Sequence, residues 1–291
     1  MPVIGITLGD AAGIGPEIVA AALRSGKLER GFDYRIIGET GDARPGEPTP
    51  ASARAARAAL EESARLALAG EIAAVVTGPI HKARMQAEGF AFPGQTEFFA
   101  ERAGVKNFAM CLTGGALTVA LVTAHIPLRE VAANLRSSEI IRIGRLLAAF
   151  LTARLGRAPR IAVAGLNPHA GESGALGREE IELIAPAMTL LTNHPSPITP
   201  AAFTGPLSPD TVFHRAVAGE FDGVLCMYHD QGLIPLKLHA FDSGVNVTLG
   251  LPFPRTSPDH GTAFEIAGKN LARPDSMIAA LRLAAEMARA K

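Results

Sequence analysis

Short apolar runs alternate with helical patterns along most of this 291-residue chain. Eight short runs, most of them containing valine or isoleucine, predict strands at residues 2–8, 34–37, 72–77, 106–112, 117–123, 160–165, 222–227 and 245–249. Many of these runs are apolar at successive positions, which is typical of a sheet covered by helices on both faces. The alternation therefore predicts an α/β/α fold with a mostly parallel sheet.

Three helices between the strands have readable ends. The helix at 137–155 follows Ser137 and Ser138, which are possible N-caps, and stops at Gly156, a favourable C-cap residue. The other two helices are predicted at residues 50–69 and 275–289. A chain of this length is expected to form about two domains. It is long enough to bury a core without disulfides or a structural metal.

The charge balance argues against a basic nucleic-acid-binding surface, because the 28 lysines and arginines are equal in number to the 28 aspartates and glutamates. Both cysteines, Cys111 and Cys226, lie within apolar runs, so we interpret them as buried thiols of a reducing compartment. We find neither a signal-peptide pattern nor an apolar run of the ~20 residues that a membrane span needs. A soluble cytoplasmic protein without nucleic-acid or membrane partners is therefore expected.

Polar and glycine-rich loops follow the predicted strands, where open α/β sheets place their ligands. The loop from Gly9 to Glu17 carries Gly13 and Gly15 for tight turns, and Pro16 suits the first turn of a helix. Its spacing is not the dinucleotide fingerprint G-x-G-x-x-G, so a plain strand-to-helix turn is the alternative.

A second loop places Lys82 just past a strand end, where the cation can meet an anionic ligand. Gln95 and Thr96 follow it and offer an amide and a hydroxyl. The alternative is structural, with Thr96 capping a helix that starts near Glu97.

Three histidines follow three predicted strands, namely His125, His169 and His229. They are candidates for one catalytic metal site with positions left open for substrate. Asp230 is a candidate for orienting a ligand or for acid–base chemistry. For each histidine alone, a structural imidazole is the alternative, and spacing does not show that the three converge.

Two cations, Lys237 and Arg255, bracket an apolar region near the end of the chain. Both suit a phosphate or a carboxylate, and arginine is better shaped for bidentate contact. Two ordinary surface cations are the alternative. The loop that begins at Asp259 continues with His260, Gly261 and Thr262; it is either a ligand loop or an ordinary loop–helix junction.

Taken together, these segments resemble the 4-hydroxythreonine-4-phosphate dehydrogenase family of pyridoxal phosphate biosynthesis. The matching motifs appear in family order between residues 9 and 268: GDAAGIGPE, VVTGPIHK, QTEFFAER, TAHIPLREV, GLNPHAGE, GPLSPDT, MYHDQGL and GVNVTLGLPFPRTSPDHGTAFEIAG. MYHDQGL and GLNPHAGE are the most specific of these motifs.

The resemblance implies two α/β/α domains of the isocitrate and isopropylmalate dehydrogenase type with a cleft between them. Residues 1–91 and 245–291 would form one domain, which carries the nucleotide loop. Residues 92–244 would form the other, which carries the metal ligands and the dimer interface. A homodimer whose active sites draw on both subunits is also implied.

The site residues implied by the resemblance extend those suggested by the loops. His125, His169 and His229 would bind a divalent metal, with zinc preferred over magnesium or cobalt. The substrate would contact Gln95, Thr96, Lys237, Asn246 and Arg255. The catalytic polar positions are Lys237, Asp210 and Asp230. NAD or NADP would lie at Asp259, His260, Gly261 and Thr262.

The implied reaction is metal- and NAD(P)-dependent oxidation of 4-phosphohydroxy-L-threonine, followed by decarboxylation to 3-amino-2-oxopropyl phosphate. Three departures from the family pattern concern the substrate. Gln95 stands where the family has histidine, Ala12 replaces a usual proline, and the chain is shorter around residues 40–60. The alternatives are a paralogue acting on D-threonate or D-erythronate 4-phosphate or a cyclic dihydrodiol carboxylate, a metal-dependent hydrolase, and a non-catalytic binding protein.

Overall fold

A computed structural model describes residues 1–193 and 200–290 of the chain. The chain divides into two compact units. The first unit comprises Met1–Lys106 and Asp242–Lys291, and the second comprises Asn107–Phe241. None of the helices in the described ranges is both long and apolar enough to span a membrane.

Strands and helices alternate along the described ranges as the sequence predicts. The strands are β1 Val3–Thr7, β2 Asp33–Ile37, β3 Ala74–Thr77, β4 Ala109–Gly114, β5 Leu117–Leu121, β6 Arg160–Ala164, β7 Ala202–Leu207, β8 Gly223–Cys226, β9 Val245–Leu249 and β10 Arg255–Pro258. The α-helices are α1 Gly15–Arg24, α2 Pro50–Leu68, α3 Lys82–Ala87, α4 Gln95–Arg102, α5 Val131–Asn134, α6 Ser137–Leu155, α7 Ala185–Asn193, α8 Pro209–Val217, α9 His229–Ala240 and α10 Asp275–Arg289.

The strands of the first unit run in the order β2-β1-β3-β10-β9. β1, β2, β3 and β10 are parallel, and β9 is antiparallel to β10. β3 and β10 are buried at every position, so helices must cover both faces of the sheet. α2 packs on β1 and β3, and α10 packs on β3 and β10. Loops that follow β1 and β3 therefore meet at one edge of this sheet.

An aromatic cluster assigns α4 to the first unit. Phe98 and Phe99 of α4 are completely buried and share a core with Phe90 and Phe253. The boundary at residues 91 and 92 that the resemblance implied falls in the structure between Lys106 and Asn107, because these rings pack inside the first unit.

The strands of the second unit run in the order β4-β5-β8-β6-β7. β5, β8, β6 and β7 are parallel, and β4 is antiparallel to β5. α9 packs on β4 and β5, whereas α6 and α8 pack on β8. Because β5, β8 and β6 are parallel neighbours, the loops that follow them lie along one edge of the sheet.

The eight predicted strands and three predicted helices all form, and two further strands were missed. β7 contains Gly205 and Pro206, which are unusual within a strand, and lies at the end of its sheet. β10 consists of Arg255, Thr256, Ser257 and Pro258, all of them buried, so no apolar run reveals it. The possible caps of α6 were wrong: Arg136 is the N-cap residue, and the Ser137 hydroxyl donates to the Leu183 carbonyl.

Candidate active site

The three predicted histidines lie at one edge of the second unit's sheet. His125 follows β5, His169 follows β6, and His229 is the first residue of α9, directly after β8. These strands are adjacent and parallel, so the sheet order alone brings the three loops to neighbouring positions.

His125 and His229 are in contact. Their ring centroids are 5.5 Å apart, and both rings line a pocket of about 160 Å³ together with Thr123, Tyr228 and Asp230. The Nδ1 atom of His229 lies 2.7 Å from a carboxylate oxygen of Asp230. This carboxylate fixes the orientation of the ring and leaves Nε2 available to a ligand.

His169 lies on an unusual left-handed turn. Residues 169–173 all have positive φ, and four of the five are not glycine. His169 Nδ1 lies 3.0 Å from the Glu172 carboxylate, and the imidazole is 62% exposed. Left-handed backbone costs energy for residues with a Cβ atom, so contacts around the turn must hold it.

The donor set suits a divalent metal, but the described residues do not assemble it into a complete site. His169 and His229 each carry a carboxylate on Nδ1, the partner that metal-binding histidines commonly have. Within residues 1–193 and 200–290, however, no group of three histidine, cysteine or acidic side chains is arranged to hold a metal ion. The structure thus pairs His125 with His229 and leaves the exposed His169 outside that pair.

The predicted acid–base residues have different surroundings. Asp210 is exposed at the start of α8 and accepts a hydrogen bond from the Ser208 hydroxyl at 2.6 Å. This hydrogen bond, with His169 as a weaker cause, lowers the pKa of Asp210, which is therefore ionised at neutral pH. Asp230 is the partner of His229. Lys237 lies partly buried on α9, eight positions after His229.

The first unit holds the predicted anion-binding residues around Arg255. Its side chain is 2% exposed, and its Nη2 donates to the Thr77 hydroxyl at 2.6 Å and to the Gln95 Oε1 at 2.8 Å. Nη1 donates to the Thr248 hydroxyl at 3.3 Å, and Nε has no partner. Burial lowers the pKa of Arg255 to about 10, so the guanidinium stays charged at pH 7.

Two further candidate substrate-binding residues, Thr96 and Asn246, lie beside this sheet or on it. The Thr96 hydroxyl is 3.3 Å from the Thr248 hydroxyl, and Gly94 rather than Thr96 is the N-cap residue of α4. The structural alternative for Thr96 was therefore wrong. The side-chain oxygen of Asn246 on β9 is buried without a partner. A ligand is the natural partner for such an oxygen.

The predicted cofactor loop packs on the glycine-rich loop that follows β1. Ile14 donates its backbone N–H to the Thr262 carbonyl at 2.9 Å. A Cβ atom on Gly13 would lie 2.6 Å from that same carbonyl oxygen, so only glycine allows this approach. Pro16 lies in the first turn of α1 as predicted. Gly261 is open to solvent on its Cβ side.

His260 is the partly buried histidine of this loop, which also contains the buried Thr262. Both of its ring nitrogens are buried without a hydrogen-bond partner, and burial lowers its pKa. Asp259 donates its backbone N–H to the Ser276 hydroxyl at 3.1 Å, which ties the loop to α10.

Several supporting residues escaped the sequence analysis. Thr77 and Thr248 bind Arg255, and Glu172 binds His169. Thr77 ends a strand within VVTGPIHK and Glu172 ends GLNPHAGE, so their motifs were visible while their contacts were not.

Comparison with known proteins gives a consistent result. The family profile described as "Pyridoxal phosphate biosynthetic protein PdxA" matches residues 18–284. A 4-hydroxythreonine-4-phosphate dehydrogenase of Desulfosudis oleivorans is 44% identical, over 99% of this chain and 96% of the relative.

Solved structures agree with the sequence comparison. The crystal structure of 4-hydroxythreonine-4-phosphate dehydrogenase from Klebsiella pneumoniae matches with a TM-score of 0.83 and 35% identity, over 99% of this chain and all of that chain. A terephthalate 1,2-cis-dihydrodiol dehydrogenase from Burkholderia xenovorans matches with a TM-score of 0.70 and 27% identity, over 98% of both chains.

A more distant match concerns the fold alone. The β-decarboxylating dehydrogenase of Thermococcus kodakarensis has a TM-score of 0.57 at 17% identity, over 99% of this chain and 83% of that chain. The isocitrate dehydrogenase of Methylococcus capsulatus matches with a TM-score of 0.51 at 18% identity, over 99% of this chain and 88% of that chain, which confirms the predicted isocitrate dehydrogenase type of fold.

Proposed function

The chain belongs to the PdxA family of pyridoxal phosphate biosynthetic proteins, and we propose that it oxidises 4-phosphohydroxy-L-threonine with NAD or NADP. The alcohol loses a hydride and a proton, and the resulting β-keto acid loses carbon dioxide to give 3-amino-2-oxopropyl phosphate. The observation that carries this proposal is the buried guanidinium of Arg255.

Arg255 fits an anionic substrate because all its hydrogen-bond partners are neutral. Thr77, Gln95 and Thr248 each offer an uncharged oxygen, and Nε still has a free N–H. Glu97 acts on this buried cation through charge alone, without a hydrogen bond, and a substrate phosphate or carboxylate bonded to the guanidinium would compensate its charge further. Asn246 adds an unsatisfied buried acceptor that suits a substrate hydroxyl or amine.

His125, His169 and His229 are the residues that would hold a divalent cation, with zinc preferred and magnesium or cobalt as alternatives. A cation there would supply Lewis acidity at the substrate hydroxyl, and the nicotinamide would accept the hydride. Within the part of the chain that the structure describes, His125 contacts His229 but no group of three ligands is assembled, and we infer that a homodimer completes the ligand set.

The remaining polar residues act on protons and orientation. Asp230 orients His229 through its Nδ1, and the ionised Asp210 adds negative charge close to His169. Lys237 is the proposed proton carrier, because an ammonium on a flexible stem can bind an anion and release a proton. The loop from Asp259 to Thr262 is the proposed cofactor site. Buried free thiols fit a cytoplasmic location.

The test is absorbance at 340 nm with purified, zinc-loaded protein and 4-phosphohydroxy-L-threonine, run with NAD⁺ and NADP⁺ separately. We expect zinc-dependent formation of the reduced cofactor. Activity on D-threonate or D-erythronate 4-phosphate or a dihydrodiol carboxylate instead would assign a paralogue. A match to a dihydrodiol dehydrogenase keeps that substrate in the panel. Release of inorganic phosphate from the phosphorylated substrate without cofactor reduction would indicate a hydrolase.

A further inference from the structure

Gln231 joins the loops that carry two of the three histidines. It lies in the first turn of α9 and is 6% exposed. Its side-chain oxygen accepts from the Met227 backbone N–H at 2.7 Å, and its amide nitrogen donates to the Gly165 carbonyl at 2.7 Å. Met227 lies two residues before His229, and Gly165 lies four residues before His169.

We propose that Gln231 is a positioning residue, which holds the His169 and His229 loops at a fixed separation. The proposal rests on the proposed function in taking these histidines as metal ligands. The carboxamide is the functional group that the two contacts require, since one end must accept and the other must donate. Glutamate offers two acceptors and methionine offers no donor, so neither can make both bonds.

The loop of His169 is also fixed from its other side. Glu180 is 3% exposed, and one of its carboxylate oxygens accepts from the backbone N–H groups of Leu166 and Asn167, both at 2.7 Å. Its other oxygen accepts from the Asn167 side chain at 2.9 Å. The segment from Gly165 to Asn167 is therefore held by Gln231 through a carbonyl and by Glu180 through two N–H groups.

The left-handed turn explains why such restraint is needed. Residues 169–173 follow this segment directly, and their positive φ values are unfavourable for non-glycine residues. Strained backbone of this kind persists only where the surrounding contacts determine it. Loss of the Gln231 contact would release one side of the segment and let His169 move away from its position.

Met227 also connects this hydrogen-bond network to the loop of the third histidine, His125. Thr123 lies two residues before His125, and both its backbone N–H and its hydroxyl donate to the Met227 carbonyl, at 3.1 Å and 2.8 Å. Met227 thus bonds to Thr123 through its carbonyl and to Gln231 through its N–H. The ends of β5, β8 and β6 are thus connected through Met227 and Gln231.

The experiment compares Gln231→Glu and Gln231→Met with the full-length parent protein. Zinc affinity is measured by competition with a chromophoric chelator, next to circular dichroism and the thermal midpoint without metal. We expect zinc to bind about 10–100-fold more weakly, the range typical for partners that orient metal ligands. Gln86→Glu is the matched control, because Gln86 is exposed on α3 in the first unit and undergoes the same chemical change. It should bind zinc as the parent does.

Steady-state kinetics give a second readout. Both Gln231 variants should lower kcat and leave the KM for the nicotinamide cofactor unchanged, since the cofactor loop lies in the other unit. Glu180→Gln, which weakens the same segment from the opposite side, should also reduce zinc affinity. It serves as the decisive variant if Gln231→Met does not fold.

Zinc affinity equal to the parent in folded Gln231 variants would overturn the proposal, and so would a lower thermal midpoint with unchanged zinc affinity. If the parent itself binds no zinc, the metal part of the proposed function fails instead. Amide hydrogen exchange then decides the positioning role. Faster exchange at Met227, Leu166 and Asn167 in Gln231→Met supports the restraint, and parent-like exchange contradicts it.

Discussion

Gln95 accepts a hydrogen bond of 2.8 Å from the buried guanidinium of Arg255. The amide nitrogen of Gln95 donates to the Gly78 carbonyl at 3.1 Å, which fixes the side-chain oxygen toward the arginine. A neutral acceptor holds the guanidinium without cancelling its charge. Gln95 therefore preserves the positive charge of Arg255 for the anionic substrate that we propose.

Replacing Gln95 with glutamate tests this relationship. The new carboxylate would pair with Arg255 and compete with the substrate anion. Losing a charge-assisted hydrogen bond of about 1.5–3 kcal/mol corresponds to a KM for the phosphorylated substrate that rises about 10–100-fold. Inhibition by inorganic phosphate should weaken in parallel. Gln86→Glu is the control on the exposed surface, and an unchanged KM in Gln95→Glu would exclude Arg255 as the anion site.

Removal of the His169 imidazole should abolish zinc-dependent turnover and leave the fold intact. The ring is 62% exposed, so its loss creates no cavity in the core. Zinc affinity should fall by more than about 10–100-fold, which is the loss typical for a residue that only orients a metal ligand. His214→Ala removes another exposed imidazole, on α8, and should behave as the parent in the same titration. Full activity in His169→Ala would refute its assignment as a ligand.

His260 should make the protein sensitive to mild acid. Burial lowers the pKa of His260 in the folded state below its ordinary value of about 6.5. The unfolded chain thus binds more protons there, so the histidine's stabilising contribution is complete above about pH 6.5 and is lost as the pH falls below it.

The measurement is urea unfolding at about pH 7.5 and pH 5.5, on either side of the histidine titration. His260→Asn should lose less unfolding free energy between these two pH values than the parent does. The exposed His214→Asn should lose as much as the parent. Equal losses in the parent and His260→Asn would show that His260 titrates normally.

Asp222 should stabilise the second unit at neutral pH. Its carboxylate accepts from Arg157 at 2.7 and 2.9 Å and from the backbone N–H of Arg160 at 2.7 Å. These contacts, of which the Arg157 hydrogen bonds contribute most, hold the pKa of Asp222 far below its usual range. The stabilisation is present above the unfolded value of about 3.9 and is lost as the pH falls toward the folded value.

Asp222→Asn should lower the free energy of unfolding by about 1–3 kcal/mol at pH 7, in the range of hydrogen bonds to charged groups. The difference from the parent should shrink in acid, as the parent's carboxylate becomes protonated. Asp242→Asn removes an exposed ion pair with Arg273 and should change stability by about 0–1 kcal/mol. If the difference in unfolding free energy between Asp222→Asn and the parent stayed the same at low pH, the stabilisation would not come from the ionised carboxylate.

Much of the fold could be predicted because its strands are apolar on both faces. β1 and β3 lie in valine- and isoleucine-rich runs and β8 lies in a short apolar run, and such runs predict buried strands without knowledge of their neighbours. β10 could not be predicted, because Arg255, Thr256 and Ser257 are polar and are buried only through contacts with other elements. The apolar neighbours of Cys111 and Cys226 predict buried thiols, and the structure confirms that both are buried.

The candidate site was likewise predicted only in part. Sequence motifs by themselves determined the family and the candidate ligands, since histidine, arginine and glycine were each recognisable at strand ends. Only the tertiary structure decided which of these residues meet. It paired His125 with His229, turned Gln95 toward Arg255 and placed Gln231 between two loops. These contacts join residues far apart in the chain, and their geometry depends on strand order and register, which local sequence does not encode.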